Sequence, residues 1–430
     1  MKYWYKIHKW ASLICAVFLL SMCASALPLI FGREIAAFNQ VSVPTALEAS
    51  LVDLTKLSVG KQAQTVLERY PGYNLRAVYL DHEKHTNGFS IRSQDKGYEY
   101  ARLDLNTGQF IERSNEQVRY EIIPKFIEFA YRMHVDMYLG SFGRNLFGAM
   151  CGLSVVALLS GIWLYAPFMK NISFGTIRSS HRRIYWMDWH KLLGIATLSW
   201  AVLLSLSGFI FIFAGPVHNA WNESIRKEYL IDYQDKPFPV QRISIDEAME
   251  VTQAALPDRR ITGIEVPQED GKMRWHYTVR TQGEGWDAHL NKPVWVEAST
   301  GKVTAVIQQP WYIQTLSMAN PVHFSNHDTL PLKILWFITD ALTCIMIITG
   351  IYAWFVKFRP NKSNAANKQQ VKSVSPVRQS SRQIWLLPVV IILITLFGII
   401  APLAGKEWST ISAVALAIPL VLTGYYWLRS

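Results

Sequence analysis

The sequence predicts an α-helical polytopic membrane protein with about six spans, a parallel internal repeat and two small α+β modules set between spans. Three observations carry this. Half of the 430 residues are hydrophobic and only 17% are charged, and the apolar residues fall in blocks long enough for a bilayer core of about 30 Å. The blocks recur in order, because WYKIHKWASL at 4–13 aligns with WMDWHKLLGI at 186–195, placing Trp4 on Trp186, His8 on His190 and Lys9 on Lys191. The two long polar stretches between blocks also share one pattern, an amphipathic helix followed by strands.

The first span is assigned to residues 1–31, with its apolar run from about 11. Its basic start and the CASA tetrapeptide also fit a cleaved signal peptide, but the run is long for one and the repeat needs this helix kept. The first module is 32–145. Within it, 58–80 reads as a helix stopped near Pro71 and then a strand, and RLDLNTGQF at 102–110 as strand–turn–strand. The second span is 146–168, a short loop covers 169–190, and the third span is 191–214. The second module, 215–331, repeats the plan, with 244–266 and Pro257 matching the first helix and strand, and WVEASTGKV at 295–303 matching the turn. The fourth span is 332–356. A basic linker, 357–383, leads to spans at 384–403 and 409–428, a C-terminal hairpin (384–430) outside the repeat. Both copies carry Ser followed by a small residue in their first span, SAL at 25–27 and SGF at 207–209. In their closing spans His134 precedes Gly161 of SGIWLY by 27 residues, as His323 precedes Gly350 of TGIYAW.

Charge sets the expected orientation. Lys2, Lys6 and Lys9, then Lys170, Arg178, Arg182 and Arg183, then a linker with seven basic residues and no acid, supply the net +11. The first module holds 14 basic and 14 acidic residues and the second 11 and 15. The short basic segments and the N-terminus therefore belong in the cytoplasm and both modules on the far side. The basic excess is a topology signal and gives no reason to expect nucleic acid. All four cysteines, Cys15, Cys23, Cys151 and Cys344, lie in the spans without a CxxC motif, which suits packing as small hydrophobes.

Four of eleven histidines occupy matching places: His8 with His190 at the cytoplasmic ends of spans one and three, and His134 with His323 at the far ends of spans two and four. A single interfacial histidine reads best as a hydrogen-bonding residue. Two matched pairs read otherwise, since a b-type haem takes axial imidazoles on opposite faces of its iron, and ionisable residues at membrane depth mark function. Trp4, Trp10, Trp189 and Gly194 near one pair, and Tyr131, Tyr138 and Gly140 near the other, suit a flat macrocycle; an aromatic belt explains the aromatics at least as well. LGSFGRN is expected to break the helix after His134. His218 and His327 are weaker ligand candidates, His327 also for substrate or a haem propionate. His181 reads as part of the basic face or a propionate contact, and His82, His85, His276 and His289 as surface residues. No GxGxxG or Walker motif supplies a nucleotide site, so electrons for a redox role come from a quinol or a cytoplasmic reductase. A transporter is disfavoured, because Asp340 is the one obvious intramembrane acid.

The paired SVGKQAQTVLERYPG and SIDEAMEVTQAALPD segments, with HKW, DWHKLLG, YRMHVDMYLGSFGRNLFG and PVHFSNHDTLPLKILWF, resemble PepSY modules joined to PepSY-associated transmembrane helices of Gram-negative bacteria. The resemblance covers about 1–358. It implies a multi-pass inner-membrane protein with periplasmic modules, linked to iron uptake. It also implies a ferric-siderophore reductase carrying two b-type haems on His8, His134, His190 and His323, with a ferric siderophore or other ferric chelate as substrate. The alternative is a non-redox protein whose modules bind a periplasmic peptide or protein partner. The two extra C-terminal spans depart from the four-helix form.

Overall fold

The structure, a computed structural model, describes all residues except 42–53, 112–116, 180, 325–328, 357–377 and 430. His327 and most of the basic linker lie outside the described residues. In chain order the elements are α1 (Lys2–Ile30), α2 (Gly32–Asn39), β1 (Gln40–Val41), α3 (Val59–Arg69), β2 (Asn74–Asp81), β3 (Thr86–Ser93), β4 (Gly97–Asp104), β5 (Phe110–Ile111) and β6 (Gln117–Val118). They continue with α4 (Ile122–Val135), α5 (Gly140–Met169), α6 (Arg182–Phe213), α7 (Gly215–Tyr229), α8 (Ile245–Ala255), β7 (Arg260–Glu265), β8 (His276–Gln282), β9 (Val294–Glu297) and β10 (Val303–Val306). The chain closes with α9 (Trp311–Ser317), α10 (Ala319–Phe324), α11 (Leu330–Val356), α12 (Ser381–Ile400) and α13 (Ser409–Arg429). They fall into two compact units. One comprises Met1–Asn39, Tyr120–Gly215 and Ala319–Ser430, and the other Gln40–Arg119 and Pro216–Met318.

The first unit is helical, and six of its helical segments are long and apolar enough to cross a membrane: Lys2–Ile30, Gly140–Met169, Arg182–Phe213, Leu330–Val356, Ser381–Ala404 and Lys406–Arg429. This is a polytopic membrane protein. Its first helix starts well before the apolar run, so His8 lies within α1 rather than ahead of it. The break after His134 falls earlier than LGSFGRN suggests. It occupies residues 136–139, where Met137 and Tyr138 take positive φ and buried Asp136 accepts from Arg132 and from the Tyr138 amide.

The repeats form a ring. α1 packs on α5 and on α11, and α6 packs on the same two, so the equivalent helices α1 and α6 stand diagonally, as do α5 and α11. The hairpin α12–α13 lies against α6 and α11. There Ile399 and Leu416 bury Trp200 and Trp336, whose ring centroids are 3.9 Å apart. α12 opens with a capping box, Ser380 with Gln383.

In the second unit the expectation of two separate modules gives way to one antiparallel sheet of eight strands, ordered β10-β9-β8-β7-β2-β3-β4-β5. β2 and β7, the first long strand of each copy, pair at its centre with Val78 opposite Ile264. Each copy alone would expose that strand as an edge, and pairing removes both edges. α3 and α8, N-capped by Ser58 and Ser244, help cover one face. One core runs through both copies: Val66, Val78, Phe89, Ile91 and Leu103 pack with Ile264, Val279, Val294 and Val296. On the other face the described residues cover only the second copy. α7 and the turn to Tyr233 bring Trp221, Ile225 and Leu230 onto Trp295 and Ala305. His276, expected at the surface, is buried under this cover. Its ring lies 4.5 Å from that of Tyr233 and its Nε2 bonds the Thr304 hydroxyl at 2.8 Å.

Candidate functional site

The membrane unit brings the four repeat-matched histidines together as two pairs. His8 and His190 have ring centroids 6.4 Å apart with planes at 56°. His134 and His323 are 6.1 Å apart at 59°. Each pair takes one histidine from each repeat. The first bridges the diagonal helices α1 and α6, and the second the helices α4 and α10 that precede the other diagonal.

Each imidazole is held by its Nδ1. His8 bonds the Ala157 carbonyl at 2.8 Å, His190 the Met346 carbonyl at 2.9 Å, His134 the Met22 carbonyl at 2.8 Å, and His323 the Ser207 hydroxyl at 2.9 Å. A carbonyl only accepts, so the first three carry their proton on Nδ1. Ser207 spends its own proton on the Leu204 carbonyl, so its oxygen accepts from His323 in the same way. Among the described residues no hydrogen bond engages any of the four Nε2 atoms. Nδ1 protonated and Nε2 free is the tautomer that offers a lone pair to a metal.

One short motif builds all four anchors. Three residues after each carbonyl comes a hydroxyl that bonds back to it: Ser160 to Ala157, Thr349 to Met346, Ser25 to Met22 and Ser207 to Leu204. The next residue is small, Gly161, Gly350, Ala26 and Gly208 respectively. In a helix the side chain four residues on overhangs a carbonyl, so a small residue there exposes the second lone pair. The glycines also give the rings room. A Cβ on Gly161 would stand 3.1 Å from His8 Cε1, and one on Gly350 2.8 Å from His190. The constant spacing from His134 to Gly161 and from His323 to Gly350 is therefore not one ring facing one glycine. Each glycine serves the first pair, while its own closing helix follows the histidine of the second.

Sequence reasoning missed Asp188. It is buried two residues before His190 and accepts from Arg178 Nε (2.8 Å), Nη2 (2.9 Å) and backbone N (3.1 Å), and from Lys191 Nζ (2.6 Å). It ties the loop after α5 to the start of α6. Lys6 occupies the matching place in repeat one, so the duplication gave no pointer to it. Asp340 is buried in α11, and among the described residues its Oδ2 has no hydrogen-bond partner. His218 lies on α7, half-buried, and joins neither pair; His181 is exposed ahead of α6. Burial pushes both imidazoles of the second pair, which precede their spans, below the ordinary histidine range, His323 to about 4. Both are therefore neutral at pH 7.

Among the described residues no three His, Cys, Asp or Glu side chains cluster as a bare-ion site. Pairs suit a metal that brings its own equatorial ligands. Two imidazoles bound to one metal from opposite sides, at about 2 Å each, have centroids roughly 6 Å apart. Both pairs meet that spacing, with free Nε2 atoms, so their residues fit bis-histidine haem.

A duplicated membrane unit with two cross-repeat histidine pairs defines a class of integral membrane protein built on an internal repeat. The family described as PepSY-associated TM region matches residues 5–357, and the chain belongs to it. A search of curated proteins found no match.

Proposed function

We propose that the protein is a b-type haem oxidoreductase of the bacterial inner membrane that passes electrons from a quinol or a cytoplasmic reductase to a ferric chelate, a siderophore complex, in the periplasm. The sheet unit is then the PepSY-like periplasmic part, with the N-terminus in the cytoplasm. The observation that carries this reading is the pairing itself: two sites, each with one histidine from either repeat, centroids 6.1 to 6.4 Å apart and every Nδ1 tied down. His8 with His190 and His134 with His323 would each hold one haem. A bound b-type haem supplies a one-electron carrier. The chain's own residues present two lone pairs per site, fix each ring's rotation through the bond at its Nδ1, to a carbonyl for three rings and to the Ser207 hydroxyl for His323, and keep the polar ligands within protein rather than lipid. Siderophore oxygens hold Fe(III) far better than Fe(II), so reduction releases the iron.

The test is an oxidised and dithionite-reduced absorption spectrum of purified protein with haem counted per chain. Two b-type haems per chain are expected. A colourless protein purified from haem-replete cells would sink the reading.

A further inference from the structure

The face of the first copy that no described residue covers carries side chains that ordinary solvation does not require. A cross-strand row runs Arg102, Gly88, Tyr79, Gly263, Arg280, each residue in register with the next. The two glycines put no side chain on either side of Tyr79. The space over Gly88 is taken by the Tyr100 phenol, which a Cβ there would strike. Tyr79 and Tyr100 have ring centroids 6.4 Å apart, and Tyr98 and Tyr100 are 68% and 36% exposed. Arginines frame these rings: Arg92 is 5.2 Å from the Tyr98 ring, Arg102 5.8 Å from Tyr100 and Arg280 6.0 Å from Tyr79.

The charge does not cancel. Arg76 and Arg92 share Asp270, Arg280 pairs with Glu265, and Arg102 has no ion pair among the described residues. Asp81, held by Lys84, and Asp104 lie in the next row of the same face, so five basic residues meet four acids. The second copy offers no such surface, because α7 covers Trp295 and Ala305 at that place.

We propose that this open face of β2, β3 and β4 docks an anionic iron chelate with aromatic oxygen donors, of the tris-catecholate type. The occupant follows from complementarity. Flat, electron-rich rings stack on tyrosines, a negative complex meets Arg102, which has no ion pair among the described residues, and arginines at ring faces engage both. A neutral trihydroxamate chelate offers neither ring nor charge. This rests on the ferric-chelate reading above and names its substrate class.

The experiment uses the full chain in nanodiscs and the redox-inert gallium(III) tris-catecholate, with neutral gallium(III) trihydroxamate and metal-free catechol as comparisons. The catecholate complex is expected to bind, more weakly at high salt, and roughly fivefold or more weakly in Tyr100→Ala and in Arg102→Gln, both exposed positions. Equal binding of the trihydroxamate, equal binding of free catechol, no binding of the catecholate complex, or indifference to both substitutions would overturn the proposal. Gallium is not reduced, so the result is independent of haem. Protein without haem that still binds the complex would sink the reductase reading and leave this face standing. Haem-loaded protein that ignores the complex would do the reverse.

Discussion

In the membrane unit the two repeats agree down to single atoms. Ala157 and Met346 offer the same carbonyl, Ser160 and Thr349 the same hydroxyl, Gly161 and Gly350 the same gap, and His8 and His190 the same nitrogen. In the sheet unit the copies share only an outline. Ser58 and Ser244 cap equivalent helices and β2 mirrors β7, but one outer face is buried under α7 and the other bears tyrosines and arginines. The contrast separates two kinds of constraint. On the function proposed above, each pair needs both halves to deliver a nitrogen at one spacing, so neither can drift. A sheet face needs only to be covered or soluble, which many residues satisfy.

The largest expected effect breaks the paired sites. His8→Ala or His190→Ala is expected to halve the haem content, removing one spectral component, and His134→Ala or His323→Ala to remove the other. Loss of the same component by all four variants would show that the pairs are misassigned. Next come the gaps. Gly350→Leu is expected to displace His190 and abolish the first site, since even a Cβ would sit 2.8 Å from that ring. Overpacking of this kind costs about 1–3 kcal/mol. Gly161→Ala, with 3.1 Å to His8, is expected to be milder than Gly350→Ala. Equal retention of haem by the two would show that the contacts do not set the sites.

The one polar cluster the repeats do not share comes third. Asp188→Asn takes the carboxylate from Arg178 and Lys191 and is expected to cost about 2 kcal/mol, read as a lower melting temperature in detergent, whereas Lys6→Ala at the matching place is expected to be near neutral. Fourth is the covered half of the sheet. Burial depresses His276 to about 4. The unfolded chain therefore binds its proton first as pH falls, and the stability from keeping the ring neutral, full above about 6.5, drains away between 6.5 and 4. His276→Gln is expected to flatten that part of the stability–pH curve; an unchanged slope would show that the ring is not the titrating group. The smallest effects are at the caps. Ser58→Ala and Ser244→Ala are expected to cost about 1 kcal/mol each. Ser58 is expected to cost the more, because its hydroxyl also bonds Asp246 across the two copies, at 2.7 Å.

Much of this was legible in residue order. Hydropathy marks the spans because a bilayer demands length and apolarity, both local quantities. The duplication shows in WYKIHKW and WMDWHKL because identical chemistry is demanded twice. The Ser/Thr-small pairs in SAL, SGIW, SGF and TGIY also stood in view, but their purpose did not, since a carbonyl has no letter in a sequence. His276 reads as a surface residue on its own strand because the helix that buries it lies some fifty residues earlier.

The sequence alone determined that the chain belongs in a membrane, that it is written twice, and that four histidines recur. Only the tertiary structure decided what ties down each imidazole nitrogen, that two apparent modules share one sheet and one core, and which sheet face the described residues leave uncovered. Those are contacts between residues distant along the chain, and they depend on how helices close into a ring and how edge strands find partners.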